Sequence, residues 1–153
     1  MAKPNIKIAL FQPDIPQNVG AMIRLCAWLG LDLDIIEPCG FPWNEKKVKQ
    51  SAMDYMNLVT ISRHSSWDAF RDSHKDSRIV LMTTKASVPY TDYSFQDGDI
   101  LFAGRESAGV PDNVHDDVDG RVLITMHGEA RSLNIVNATS MITGEALRLI
   151  GSI

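Results

Sequence analysis

The chain has 153 residues, with 15 Lys and Arg against 19 Asp and Glu, a net charge of −4 and a pI near 5.5. That balance argues against non-specific coating of nucleic acid, which needs a positive excess, and leaves RNA binding to a local basic patch. The length suits one domain over residues 1–153 with a sizeable core, and no apolar run is long enough to span a bilayer. The start, Met-Ala-Lys-Pro-Asn, leads into a strand-like run rather than a signal peptide, so a cytoplasmic protein is expected. Two cysteines, Cys26 and Cys39, have no metal spacing and read as reduced thiols.

In chain order, Ile6–Phe11 reads as a buried strand broken by Pro13 and Pro16. Asn18 is the expected cap of a helix that runs to Leu29 and stops at Gly30. Leu33–Ile36 is a second strand, and Asn44 caps a basic helix through Gln50. Leu58–Ile61 is a third strand, followed by a short helix from a Ser66 cap to Arg71. Arg78–Thr83, Ile100–Ala103 and Arg121–Met126 are further strands, and a last helix covers Asn134 to Ile150. Residues 86–98 form a long polar loop. Continuous apolar strands alternating with helices imply an α/β fold, with a parallel Rossmann-like sheet covered on both faces.

The run Gly104-Arg-Glu-Ser-Ala-Gly-Val-Pro111 follows an apolar strand, where α/β proteins place ligands. The first helix is apolar almost all round, and Arg24 is its only charge. A buried guanidinium is costly unless paired. Arg24 is therefore either salt-bridged, with Glu106 a candidate partner, or set at the floor of a cleft facing a phosphate or hydroxyl. Gly20 and Ala21, one turn earlier, leave room for a ligand. Ser132 or Asn134 can cap the last helix, whose free N–H groups can also bind anions. Small residues on that helix, Ala138 to Gly144, permit close approach of another helix in cis or across a dimer. Lys46, Lys47 and Lys49, and Arg63 with His64, are candidate basic patches or solvated faces. No Gly-x-Gly-x-x-Gly, phosphate loop, catalytic triad or His pair with metal spacing is present, and no metal is expected.

Three stretches, in order, resemble the motifs of the knotted SPOUT methyltransferases: Asn18-x-Gly20-x-x-x-Arg24, Gly104-x-Glu106-x-x-Gly109-x-Pro111, and Ser132-Leu-Asn134 with Asn137. Ile35–Trp43, Asp54-Tyr55, Ser62-Arg-His64 with Trp67, Thr83-Thr-Lys85 and Gln96-Asp-Gly98 are similar to its small single-domain subfamily, which methylates the wobble ribose of tRNA. The resemblance implies a deep C-terminal trefoil knot, S-adenosyl-L-methionine as cofactor, a homodimer, and a tRNA anticodon stem-loop as partner, with leucine isoacceptors as substrates. It assigns Arg24 to the ribose 2′-hydroxyl. It assigns Met82, Gly104, Ile124, Ser132 and Leu133 to the cofactor, and Asn18, Glu106 and Asn134 to neighbouring catalytic positions. Lys85, Arg105 and Arg131 are expected on the RNA side of the cleft. Many relatives have proline where Thr125 stands and tyrosine where Gly144 stands. The same fold acting on another tRNA or ribosomal RNA ribose, or a silent RNA-binding module, are the alternatives.

Overall fold

Six parallel strands form one sheet in the order β3-β2-β1-β5-β4-β6, and the computed structural model describes residues 3–129 and 133–153. The strands are β1 (Lys7–Phe11), β2 (Asp32–Ile36), β3 (Ile61–His64), β4 (Ile79–Met82), β5 (Ile100–Ala103) and β6 (Gly120–Val122). The helices are α1 (Pro16–Leu29), α2 (Glu45–Ala52), α3 (Trp67–Ser73), α4 (Asp112–Asp117) and α5 (Ile135–Leu149), with 3₁₀ turns at Met53–Leu58 and Tyr90–Asp92.

The alternation of side chains along each strand splits the core in two. Ile8, Leu10, Leu33, Ile35, Leu101 and Ala103 face α1 and α5, joined by Met22, Ile23, Ile142 and Leu147. Ala9, Phe11, Ile36, Ile100 and Phe102 face the other way, onto Trp67 and Phe70 of α3 and Val114 of α4. The expected parallel sheet with both faces covered is what these residues build.

Several local expectations change. Asn18 does not cap α1: the helix begins at Pro16, whose missing N–H is no loss at N1, and Ile15 is the cap residue without a side-chain bond. Asn44, Ser66 and Asn134 do cap, each accepting from backbone N–H groups two or three residues on. The third strand is Ile61–His64 rather than Leu58–Ile61. Leu58 ends a 3₁₀ turn and is 63% exposed, while pairing of Ile61 with Leu33 sets the register. The sixth strand ends at Val122, where the chain leaves the sheet. Helix α4 leaves no periodic signal in the sequence because it is short, polar and buries only Val114. The expected knot involves the path of the C-terminal segment, of which residues 130–132 lie outside the described residues.

Candidate active site

The carboxyl ends of β4, β5 and β6 open into a cleft of about 460 Å³. Its walls are residues 81–84 after β4, 103–106 with Gly109 and Val110 after β5, and 122–126 after β6. Leu133 and one stripe of α5, Ile135, Ala138, Thr139 and Ile142, close it. Positions spaced three and four apart on a helix share a face, so this stripe is what an apolar-faced helix presents to a cavity.

The turn after β5 is shaped by its own backbone. Arg105 and Gly109 exchange two backbone hydrogen bonds, at 3.0 and 2.9 Å, and Gly109 has φ of 63°. A Cβ on Gly104 would stand 2.7 Å from the carbonyl carbon of Gly109. Both glycines are therefore required by the turn itself. Arg105 donates its Nε to the Gly109 carbonyl at 2.9 Å and lies over the Phe11 ring, so its side chain braces the same turn.

Glu106 does not pair with Arg24. Its carboxylate oxygens accept from the Asp14 backbone N–H at 3.3 Å and from Asn18 Nδ2 at 3.4 Å. The neighbouring Asp14 carboxylate accepts from the Ser107 hydroxyl. Burial, then the neighbouring Asp14, push Glu106 above the usual carboxylate range, while Glu106 beside it holds Asp14 below that range. These contacts tie the β5 turn to the entrance of α1. Asp14 was missed in the sequence because its partner lies 92 residues away.

Arg24 donates to the Ser51 carbonyl of α2 and does not line the cleft. Gly20 makes no room for a ligand: a Cβ there would collide with Ser51, so the residue serves close packing of α1 on α2. Of the positions assigned to the cofactor, Met82, Gly104, Ile124 and Leu133 come together around the cleft, whereas Ser132 lies outside the described residues. Asn134 caps α5, its Oδ1 accepting from Val136 and Asn137. Of the RNA-side positions, Arg105 lines the cleft, Lys85 is exposed just past its Thr83-Thr84 wall, and Arg131 is outside the described residues. Arg63 is paired with Glu37 and stacked on Trp43, which removes it as a free basic patch.

One polar group in the cleft was not singled out by its chemistry. Thr139 is fully buried, lines the cleft, and has no hydrogen-bond partner for its hydroxyl among the described residues. A polar residue inside an apolar helix stripe was the available signal. Among the described residues no helix is long and apolar enough to cross a membrane.

Comparison with known proteins gives concordant matches. The SpoU rRNA Methylase family matches residues 5–144. A tRNA (cytidine(34)-2′-O)-methyltransferase of Beijerinckia indica is 51% identical, over 95% of this chain and 92% of that protein. A solved structure described as "Structural insights into the 2-OH methylation of C/U34 on tRNA" superposes with a TM-score of 0.91 at 32% identity, covering 97% of both chains. The SpoU methyltransferase AviRb of Streptomyces viridochromogenes, in complex with the cofactor AdoMet, superposes with a TM-score of 0.79 at 26% identity, over 96% of this chain and 61% of that one.

Proposed function

The chain belongs to the SpoU methylase family, and from that premise we propose that it transfers a methyl group from S-adenosylmethionine to the ribose 2′-hydroxyl of nucleotide 34 of tRNA, as its relatives' names describe. The observation that carries the cofactor assignment is the cleft at the strand ends. Its volume suits a nucleoside-sized ligand, its walls are mostly apolar, and Thr139, one of its lining residues, carries a buried hydroxyl without a partner among the described residues. A buried hydroxyl without a partner is costly, and a polar atom of the ligand would satisfy it. Met82, Gly104, Ile124 and Leu133 would hold the cofactor. Ser132 and Leu133 are adjacent in the chain, so Ser132 is assigned with them. When bound, S-adenosylmethionine supplies an already activated methyl group.

The remaining work falls to the protein. Holding the 2′-oxygen in line with its target can supply about 7–11 kcal/mol in favourable cases. Arg24 would bind the RNA at this point, its planar fork facing the 2′-oxygen or a neighbouring phosphate and stabilising negative charge as the proton leaves. A guanidinium suits that charge better than it suits proton abstraction. The Ser51 carbonyl of α2 holds one of its nitrogens outside the cleft wall. Glu106 and Asn18 act as positioning residues, locking the β5 turn to α1; Asn134 sets the start of α5 behind the cleft. Lys85, Arg105 and Arg131 would face the RNA.

A homodimer accounts for the apolar residues left in solvent. Trp28 at the end of α1 is 82% exposed, and Met141 and Leu149 of the adjacent α5 are 44% and 43% exposed. Two copies would also double each basic site, which suits an acidic chain that binds an anticodon stem-loop. Incubating the purified chain with methyl-labelled cofactor and, in parallel, unmodified tRNA or ribosomal RNA tests the activity: label should enter tRNA, with leucine isoacceptors preferred. Label entering only ribosomal RNA would contradict the assignment.

A further inference from the structure

Away from the cleft, three potential metal ligands meet on the sheet face covered by α3. Asp34 lies in β2 and is 1% exposed. His64 ends β3, and His74 is the C-cap of α3. Their ligand atoms all lie within 4.8 Å of one another, and none of the three lines the cleft. His74 Nε2 is 2.7 Å from one Asp34 oxygen, and His64 Nε2 is 3.7 Å from the other.

These contacts are close but unsatisfied. Both Asp34 oxygens and both Nε2 atoms are buried without a hydrogen bond of acceptable geometry among the described residues. At 2.7 Å the His74–Asp34 approach is short enough, so the failure is one of direction. Four buried polar atoms converging without hydrogen bonds are costly together. A cation shared among them removes that cost, because each offers it a lone pair. The rings are also held in place: Phe70 is fully buried and packs against His64 at 5.3 Å and His74 at 5.0 Å.

We propose that Asp34, His64 and His74 form a zinc-binding site that ties the end of α3 to the β2–β3 edge of the sheet. Two imidazoles and one carboxylate, with water as a fourth ligand, suit tetrahedral zinc rather than the all-oxygen preference of magnesium or calcium. Zinc at about 2.0–2.2 Å from each ligand in a tetrahedron sets the ligand atoms about 3.4 Å apart, so His74 Nε2 must move out from 2.7 Å and His64 Nε2 in from 3.7 Å. Lys7 is the opposing group. Its ammonium lies 3.5 Å from Asp34 Oδ2, and its side chain is 35% exposed, so it can swing to solvent when the cation enters. The site escaped the sequence because its ligands come from three separate elements with no motif spacing.

The test titrates zinc chloride alone into the full chain, in a chelator-free buffer, followed by calorimetry and by the melting temperature. Cobalt(II) then gives a visible spectrum that reports tetrahedral coordination. One zinc per chain, a raised melting temperature and a tetrahedral cobalt spectrum are expected. His74→Gln and His64→Gln should each weaken binding by about 10-fold or more. Lys7→Met should strengthen it, which keeps the test decisive if a histidine variant folds poorly. Absence of one-site binding, unchanged binding in both histidine variants, or weaker binding in Lys7→Met would overturn the site.

Discussion

Glu106, on the turn after β5, accepts a hydrogen bond at 3.3 Å from the backbone N–H of Asp14, in the loop before α1. Burial and this partner raise Glu106 above its usual value of 4.5. A carboxyl raised on folding stabilises the fold fully below its unfolded pKa, and that contribution is lost as pH rises through the folded value. Glu106→Gln keeps the shape of the protonated acid and cannot ionise. Its melting temperature should therefore gain on wild type as pH rises above 4.5, then hold a constant lead. Parallel curves for the two proteins would show that the proton is not held there.

The Thr139 hydroxyl separates stability from binding. Thr139→Val removes a buried group without a partner and keeps the volume. The ligand-free protein should gain about 1 kcal/mol in denaturant unfolding. Affinity for S-adenosylmethionine should fall by about 5–10-fold, the worth of one hydrogen bond. Unchanged affinity would show that the hydroxyl does not face the cofactor.

Two glycines should respond in opposite directions to alanine. Gly104→Ala places a Cβ 2.7 Å from the Gly109 backbone, which cannot yield as a flexible side chain would. A loss of about 1–3 kcal/mol is expected, together with cofactor binding. At Gly144, inside α5, a Cβ meets nothing within 4 Å. Gly144→Ala should stabilise by about 0.5–1 kcal/mol through helix propensity, and chemical denaturation checks both.

Lys85 is the cleaner probe of the RNA side. It is exposed and outside the cleft wall, so Lys85→Glu should weaken tRNA binding, more so at low salt, with cofactor affinity nearly intact. Arg105→Glu should lower both affinities, because Arg105 also holds the Gly109 carbonyl. Calorimetry with each ligand separately distinguishes the two; equal loss of both affinities in Lys85→Glu would remove it from the RNA surface.

The sheet was legible where strands are apolar on both faces, as in Ile8–Phe11 and Ile100–Ala103, because only a doubly covered sheet buries such runs. It was less legible at the edge. Ser62 and Arg63 of β3 carry an edge strand's polarity, so the apolar run just before it gives the stronger strand signal. The second motif led to the cleft, since it follows β5, whereas Asn18, Gly20 and Arg24 of the first motif do not line it. The partners within the site were not legible. Nothing in the sequence makes Asp14 and Asn18, rather than Arg24, the partners of Glu106; only the parallel pairing of β1 with β5 brings those loops together.

Mass mapping of 2′-O-methylated nucleotides, after reaction of the purified chain with S-adenosylmethionine and unmodified tRNA, tests the central claim most directly. The account predicts a methyl group on the ribose of nucleotide 34, lost or strongly slowed in Arg24→Lys while cofactor affinity is kept. An unmodified nucleotide 34, or a wild-type rate in Arg24→Lys, would contradict it.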